Sequence, residues 1–458
     1  MENRRAELLD KIEELILRKQ YAQLRSLLLP MEAADIAQLC EELSEEQLPL
    51  VFRLLPKELA AEVFVELDSD EQEMLIRGFS NTELKEVLDE LYLDDTVDIV
   101  EEMPANVVKR ILRHSDPDTR KSINEILKYP EDSTGSIMTT EYVDLQKDMT
   151  VAAAFKRIRR TGPDKETINI CYVIDKNRRL IGLVSIRTLL LADEDAVIED
   201  IMETSIVSVS TLDDQELTAR ALSKYDFLAL PVVDTENRLV GIVTVDDAMD
   251  VLQDEVTEDI QLMAAILPSD KPYLKNGIFE IFRARIPWLL LLMISATFTG
   301  QIIAKFETAL AAFTVLTAYI PMLMDTGGNS GSQASVTVIR GVSLGQIKFS
   351  DLPQVVWKET RVSIVCGVVL SAANFVKLML VDRMLFHNSA VTVPVAATVC
   401  ATLILTVFCA KLVGCTLPLL AKKIGFDPAV MASPFITTIV DAISLLIYFQ
   451  FAALLLGI

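Results

Sequence analysis

The sequence contains few of the residues on which histidine or thiol chemistry depends. Among 458 residues there are 2 histidines, and the 6 cysteines form no Cys-x-x-Cys pair. Because zinc sites are usually built from clustered Cys and His, and a serine or cysteine nucleophile needs a neighbouring base, both kinds of site are disfavoured. No metal-ligand cluster of catalytic spacing is visible either, so an enzyme is the least favoured class of protein.

Charged residues are also scarce in the C-terminal part of the chain. From Trp288 to the end there are seven acidic and ten basic residues, whereas the preceding part has 59 acidic and 33 basic residues. A compact domain with such an acidic excess repels nucleic acid and anionic lipid headgroups, and bound cations relieve its internal repulsion. We therefore expect the N-terminal part to bind cations and not nucleic acid, although solubility of an ordinary cytoplasmic protein would explain the same composition.

The sequence predicts a mainly α protein. Its first part carries a repeat, because Glu42, Glu66 and Glu90 are each followed by Leu at a spacing of 24 residues, with apolar residues at helical spacing between them. Short helices of this kind bury their apolar stripes against neighbouring repeats. A passive scaffold and an ion-binding or docking unit are equally compatible with the repeat. In chain order, the predicted parts are a helical-repeat domain at 1–130, α/β tandem domains at 131–252, a connecting acidic helix at 253–284 and a transmembrane domain of five helices at 285–458.

Residues 131–252 contain two copies of one pattern. The segments 172–186 and 231–245 each consist of an apolar strand, a polar turn with Asp and Asn, and a second β-branched strand, which predicts a hairpin. An Ile-Met pair and an amphipathic helix precede each copy. These features resemble a tandem pair of cystathionine-β-synthase-type (CBS) domains, a module that commonly binds adenine nucleotides and regulates a neighbouring domain.

The CBS resemblance implies where a nucleotide would bind. In that family a Gly, two apolar residues, a Thr or Ser and an Asp three residues later contact phosphate and ribose. The second copy has this run, with Thr244 and Asp247, whereas the first copy has Thr188 in place of the acid. The resemblance therefore implies one ATP-type site, at Thr244 and Asp247. A pair with empty clefts that only dimerises is the alternative.

A single helix with many acids is predicted for residues 246–267. Seven acids fall within about four turns, several of them three or four residues apart. Like charges at that spacing weaken a helix unless a cation or a basic partner lies beside them, so we favour metal binding over simple solvation. The candidate ligands for a cytoplasmic cation are Asp247, Asp250, Glu255, Glu258 and Asp259, together with Asp427.

The C-terminal part is predicted to cross a membrane five times. Each of five apolar stretches is long enough for a hydrocarbon layer of roughly 30 Å. Lys and Arg are concentrated before the first stretch, between the second and third, and between the fourth and fifth, which places the N-terminus in the cytoplasm and the C-terminus outside. The stretches lie near 286–304, 310–339, 361–381, 392–420 and 430–456.

Polar side chains interrupt the second stretch. Asp325, Asn329 and Gln333 lie in or beside the run Thr-Gly-Gly-Asn-Ser-Gly-Ser-Gln. Polar groups at membrane depth are costly and usually mark a pathway or a site. We expect the glycines to break the helix here, which is tolerable where the backbone lines a cavity. Close packing through small residues would explain the glycines but not the three polar side chains.

A lone acid, Asp441, lies in the fifth stretch. Ser433, Thr437 and Ser444 are three or four residues from their neighbours in the series, so all four side chains share one helical face. This polar stripe in an apolar helix predicts an ion site. The alternatives are a protonated carboxyl group or a pair with a base such as Lys411.

Several motifs together resemble those of MgtE-type magnesium transporters. They are the glycine run after Asp325, the Gly-Phe-Asp427-Pro entry to the fifth stretch, the segment from Asp441 to Tyr448, the CBS pair and the acidic helix. The resemblance implies a homodimer in the bacterial inner membrane, a pore on the two-fold axis, a plug helix, and gating by cytoplasmic Mg²⁺. The pore carboxylate of the family matches Asp441, while Ser433 stands where many members have Asn.

The chemistry of Mg²⁺ agrees with this resemblance. Mg²⁺ prefers octahedral oxygen and keeps several waters, so one or two carboxylates suffice to hold it. Two copies of Asp441 on a two-fold axis would supply that charge, and Thr437 and Ser433 would accept hydrogen bonds from the ion's waters. The expected function is a Mg²⁺-selective channel. A broader channel for Mn²⁺ or Co²⁺ and a membrane-tethered metal or nucleotide sensor are the alternatives.

Overall fold

The computed structural model describes residues 2–269, 273–431 and 433–457 of the chain. They form two compact units, Met1–Leu252 and Gln253–Ile458. The first unit combines short helices with two small sheets, and the second is built from long helices. The mainly α fold class is therefore confirmed.

The helices at the start of the first unit repeat every 24 residues. Helices begin at Ala33, Lys57, Asn81 and Ala105, and a second series with the same period begins at Ser69, Leu93 and Pro117. Buried Leu, Ile, Val and Phe side chains from all of these repeats form one continuous core. The described helices are α1 Glu2–Leu17, α2 Tyr21–Leu28, α3 Ala33–Cys40, α4 Leu48–Phe52, α5 Lys57–Val65, α6 Ser69–Gly78, α7 Asn81–Leu88, α8 Leu93–Glu102, α9 Ala105–His114 and α10 Pro117–Ile126.

Two three-stranded sheets of the same topology follow. In each sheet the first strand is parallel to the second, and the second and third form an antiparallel hairpin, so both predicted hairpins are confirmed. The two hairpin turns meet, since Leu180 N donates to Asn237 O and Leu239 N donates to Arg178 O, each at 3.0 Å. The strands are β1 Val143–Gln146, β2 Ile170–Ile174, β3 Leu180–Ser185, β4 Val209–Ser210, β5 Ala229–Val233 and β6 Leu239–Thr244, with helices α11 Val151–Thr161, α12 Ile186–Leu191, α13 Ile198–Ile201 and α14 Gln215–Tyr225.

The acidic helix, α15, spans Val245–Met263. It is shorter than the predicted 246–267, because Ala265 has a left-handed backbone with φ of 56° and the chain leaves the helix there. Of the connecting segment predicted at 253–284, residues 270–272 lie outside the described part of the chain.

Long helices form the second unit. Four of the described helical segments are long and apolar enough to cross a membrane: Ile278–Lys305, Phe349–Leu385, Val393–Lys423 and Pro428–Leu456. The helix at the second predicted span, Ile320–Ser343, is as long as a span but carries the polar glycine run. The helices are α16 Ile278–Lys305, α17 Glu307–Ala312, α18 Ile320–Ser343, α19 Leu352–Lys377 with a π-helical continuation Leu378–Leu385, α20 Val393–Lys423 and α21 Ser433–Leu456.

The predicted break in the second span is wrong, because α18 runs without interruption through all of its glycines. The glycines allow close packing instead. A Cβ on Gly414 of α20 would lie 2.2 Å from the carbonyl oxygen of Gly331, and a Cβ on Gly328 would lie 2.9 Å from Thr437 Cγ2 of α21. Small residues at such crossings let helix backbones approach each other inside a membrane protein.

The crossing of α18 and α20 makes a testable prediction. Gly414→Val places a branched side chain against the Gly331 backbone, and we expect the free energy of unfolding to fall by about 1–3 kcal/mol. Thermal unfolding of detergent-purified protein, followed by fluorescence size-exclusion chromatography, measures this. Gly300→Val is the matched control, since a Cβ at Gly300 meets nothing within 4 Å. Equal stability of the two variants would contradict the packing argument.

Candidate ion-binding sites

The polar side chains of α18 and α21 line one cavity of about 470 Å³ in the second unit. Asp325 and Asp441, which are distant in sequence, both face it. Asn329 lies one turn after Asp325 and donates from Nδ2 to Asp325 Oδ1 at 3.1 Å. The lining residues are Ile320, Pro321, Met324, Asp325, Gly328, Asn329, Thr437 and Asp441.

Helix spacing and a glycine together position these groups. Thr437 and Asp441 are four residues apart on α21 and therefore point the same way. Gly328 has no side chain, so α18 can approach Thr437 closely and leave the carboxylates on the open side of the crossing. Thr437 Oγ1 donates to Pro434 O at 2.9 Å, which leaves its oxygen available as an acceptor. A cavity with two carboxylates, an amide and a hydroxyl suits a hydrated cation.

Several residues predicted for this site lie elsewhere. Gln333 is exposed and does not line the cavity. Ser444 is buried and donates to Val440 O at 2.6 Å. Lys411 Nζ lies 3.8 Å from Glu359 Oε2, so Lys411 is paired with Glu359 and not with Asp441. The side chain of Ser433 lies outside the described part of the chain.

The end of the acidic helix contacts the helices of its own unit. Ser343 Oγ, at the end of α18, donates to Asp259 Oδ2 at 3.1 Å. Leu262 packs with Ile339 and Ala429 in a small buried cluster. Glu255 and Glu258 lie on the same helix within the turn before Asp259. This part of α15 therefore brings acids to one end of the α18 helix.

Asp427 has a local structural role. Its Oδ1 accepts a hydrogen bond from Ala429 N at 2.6 Å and so closes the turn that precedes α21. The carboxylate has a second oxygen, so this bond does not prevent cation binding. The role of Asp427 as a cation ligand stays a prediction.

In the first unit, Asp247 belongs to an acidic cluster that the sequence analysis did not find. Asp247 Oδ2 accepts from Thr244 Oγ1 at 2.5 Å. Burial, followed by the charge of Asp247, raises the pKa of Asp98 to about 7 and that of Glu166 to about 7. Burial and the charges of Asp247 and Asp246 raise the pKa of Asp95 to about 7. The members of this cluster are Asp94, Asp95 and Asp98 of α8, Glu166, and Asp246, Asp247 and Asp250 of α15.

The sequence indicates only weakly that the α8 acids belong to this cluster. Three acids in the five residues from Asp94 to Asp98 are unusual for a helix whose other side is buried. The pattern does not tell which face of α8 meets the CBS pair, because that depends on how the repeat domain docks. Their position opposite Asp247 depends on tertiary packing, which the local sequence pattern does not encode.

The acidic cluster affects the binding expected for both predicted ligands, a cation and a nucleotide. Among the described residues no three His, Cys, Asp or Glu side chains are arranged to hold a metal together. Mg²⁺ needs only one or two carboxylates when it keeps its waters, so pairs of these acids suffice. A nucleotide phosphate beside Thr244 and Asp247 would face the same negative charges, which repel it. The geometry favours a cation at this position, and the nucleotide site stays a prediction.

Comparison with known proteins identifies the family. Three family models match: the MgtE intracellular N domain at residues 31–132, the CBS domain at 135–195 and 198–254, and MgtE, a divalent cation transporter, at 320–451. The chain is 38% identical over 437 residues to the magnesium transporter MgtE of Thermus thermophilus, which covers 94% of this chain and 95% of that protein. The chain belongs to the MgtE family. A Bacillus subtilis MgtE magnesium transporter is 31% identical over 93% of each chain.

Solved structures of MgtE-family proteins resemble the first part of the chain. The cytosolic domain of an Mg²⁺ channel MgtE in complex with ATP is 40% identical, with a TM-score of 0.51, and covers 53% of this chain and 99% of that one. The soluble part of a magnesium transporter is 30% identical, with a TM-score of 0.51, over 55% of this chain and 99% of that one. These matches support the observed order of helical repeat and CBS pair in this MgtE-family protein.

The raised pKa values in the acidic cluster predict how this protein responds to pH. The folded unit keeps protons that the unfolded chain releases between about pH 4 and pH 7, so its stability falls as the pH rises through that window. Without divalent cations, we expect limited trypsin digestion of the full-length protein, measured relative to an unfolded reference substrate at the same pH, to be faster at pH 8 than at pH 6. Added Mg²⁺ should protect more strongly at pH 8, where protons no longer compete. Digestion rates that are independent of pH and Mg²⁺ would contradict this.

Proposed function

We propose that this MgtE-family protein carries Mg²⁺ across the bacterial inner membrane past Asp441, and that cytoplasmic Mg²⁺ closes the pathway. The observation that carries the proposal is the cavity in which Asp325, Asn329, Thr437 and Asp441 meet between otherwise apolar helices. The Thermus and Bacillus relatives are named as magnesium transporters, which supports the same cargo. The arrangement suits transport and not catalysis.

A hydrated ion explains the composition of the cavity. Stripping water from Mg²⁺ is costly, so a pathway for it needs room, and about 470 Å³ is enough for an ion with several waters. The carboxylates of Asp325 and Asp441 supply charge, while the hydroxyl of Thr437 accepts from the ion's waters. Ser433 is proposed to do the same from the preceding turn of α21.

A homodimer is the second part of the proposal. Asp325 and Asn329 are exposed in the single chain, although they lie among helices that would face hydrocarbon. An ionised carboxylate facing lipid is strongly disfavoured. A second copy related by a two-fold axis would cover this face and bring two copies of Asp441 towards the axis.

The basic residues support the proposed orientation. Arg283 and Arg285 lie near the start of α16, and Arg340 and Lys348 lie near the end of α18. Lys and Arg collect on the cytoplasmic side of spans, so we assign these ends and the acidic N-terminal part to the cytoplasm.

Gating follows from the acidic residues. At low cytoplasmic Mg²⁺ the carboxylates around Asp247 repel one another, and at high Mg²⁺ bound cations neutralise them and favour a compact, closed state. The closed state must bind Mg²⁺ more tightly than the open state for this to work. The proposed ligands are Asp247, Asp250, Glu255, Glu258, Asp259 and Asp427, to which the structure adds Asp94, Asp95, Asp98 and Glu166 as neighbours of Asp247.

A less selective channel is the second candidate. Carboxylates and water also suit Mn²⁺ and Co²⁺, and competition uptake in a magnesium-starved strain separates these cargoes. A sensor without transport is disfavoured, because a helical unit that serves only as a membrane anchor does not need two carboxylates in one intramembrane cavity.

ATP binding is proposed from the related cytosolic domain that holds ATP. Calorimetry with Mg²⁺-free ATP tests whether Thr244 and Asp247 form its site here.

Asp441 tests the proposed pathway. Asp441→Asn keeps the size of the side chain but removes the charge, and we expect Mg²⁺ uptake to fall by more than about tenfold, with Asp441→Ala no better. Uptake by cells that lack their own magnesium importers measures this. Glu307→Gln, which removes an exposed acid of the same unit, is the matched control and should leave uptake intact. Wild-type uptake by Asp441→Asn would exclude the proposed role.

The acidic cluster tests the proposed gating. In the double variant Asp95→Asn/Asp98→Asn, both the repulsion and the charge that attracts cations are reduced. We expect the ratio of Mg²⁺ flux at low cytoplasmic Mg²⁺ to flux at high cytoplasmic Mg²⁺ to shrink by about 5-fold or more. Patch recordings with controlled cytoplasmic Mg²⁺ measure that ratio. Asp195→Asn, an exposed acid outside the cluster, is the control, and an unchanged ratio in the double variant would disprove the role of the cluster.

A further inference from the structure

A second set of charges is buried in the helical unit, apart from the cavity. Lys411 Nζ of α20 lies 3.8 Å from Glu359 Oε2 of α19, and the two side chains are 8% and 15% exposed. Glu359 Oε2 accepts no hydrogen bond from any described residue. By comparison, Lys377, which pairs with Asp382 in the same unit, is 48% exposed. The Glu359–Lys411 pair is therefore removed from solvent without ideal bonding.

Stability alone does not explain such a pair. Removing two charges from water costs several kcal/mol per ion, and apolar residues of similar volume often stabilise a protein as well or better. The long separation and the oxygen without a hydrogen bond make the compensation weaker still. A charged pair in this position among apolar helices is accordingly a candidate for function.

The pair lies near a contact of three helices beside the cavity. A Cβ on Gly331 of α18 would lie 3.1 Å from the carbonyl oxygen of Ala410 of α20, and 2.7 Å from Ile436 Cγ2 and 3.5 Å from Val440 Cγ2 of α21. Ala410, Ile436 and Val440 also pack in one buried cluster, so α18, α20 and α21 meet at this point. Lys411 follows Ala410 and Asp441 follows Val440. Both charged residues therefore lie next to the contact at Gly331.

We propose that Glu359 is the fixed counter-charge of Lys411, and that the pair keeps this part of the helical unit neutral so that a divalent cation can occupy the cavity. The inference rests on the proposed function, in which the ion binds at Asp441. Without Glu359, the lysine would leave an unbalanced positive charge near the helix contact that Asp441 adjoins. The Coulomb energy is proportional to the product of the charges, so a dication is opposed twice as strongly as a monovalent cation. Glu359 is a positioning residue that acts through Lys411.

The test uses full-length protein reconstituted in vesicles and Mg²⁺ flux as a function of Mg²⁺ concentration. In Glu359→Gln we expect the half-saturating Mg²⁺ concentration to rise by about tenfold, with a smaller change in maximal flux. In Lys411→Gln it should move in the opposite direction. The double variant Glu359→Gln/Lys411→Gln restores neutrality and should return to within about twofold of wild type. A purely structural role predicts no such dependence on the sign of the charge.

Other outcomes overturn the inference. They are shifts in the same direction for both single variants, no shift in either, or a double variant that stays as impaired as Glu359→Gln. If all three variants aggregate while Glu307→Gln remains folded, the pair is structural and the proposal is wrong. Wild type and Asp441→Asn are measured in the same vesicles. If wild type moves no Mg²⁺, or if Asp441→Asn has the same flux as wild type, the proposed function fails. If wild type transports Mg²⁺ and Asp441→Asn does not, but the variants of the Glu359–Lys411 pair show no shift, only this inference fails.

Discussion

A carboxylate among membrane helices must be compensated, and the position of Asp441 is the constraint around which the helical unit is organised. A basic partner is one solution, but the buried Lys411 is paired with Glu359. The structure instead places Asp441 in an open cavity with Asp325, Asn329 and Thr437. Because the described residues that line the cavity include no basic side chain, a mobile cation is the partner that the proposed function assigns to the two carboxylates. In that function, the charge that makes the site costly also attracts the transported ion.

Crowded carboxylates are also costly in the N-terminal unit. Around Asp247, burial and neighbouring acids raise several pKa values to about 7, so the packed arrangement is strained whenever its acids are ionised. Protons and divalent cations both relieve that strain. In the proposed gating, such a cluster responds to cation concentration because its arrangement is stable only when its charges are neutralised. A cluster whose acids were paired with Lys or Arg would keep the same structure at any cation concentration.

Sequence reasoning worked where local pattern decides the structure and failed where packing decides it. The 24-residue repeat and the hairpin turns near Asn177 and Asn237 could be predicted because each motif encodes its own geometry. Helix periodicity also put Thr437 and Asp441 on one face. The glycines of α18 were misread, since Gly is a helix breaker in isolation but permits helix crossing in a bundle. The acids of α8 could not be assigned, because their partner lies 150 residues away.

The α18 helix connects these features within the helical unit. One end accepts the acidic helix through the hydrogen bond from Ser343 to Asp259 and the packing of Leu262 on Ile339. Its middle, at Gly331, packs against both α20 and α21 with almost no free space. Its other half presents Asp325 and Asn329 to the cavity. Interiors packed this tightly transmit strain along their elements. In the proposed gating, a cation at Asp259 that displaced α18 relative to α21 would shift Asp325 relative to Asp441, and such a shift would change both the width and the charge density of the cavity.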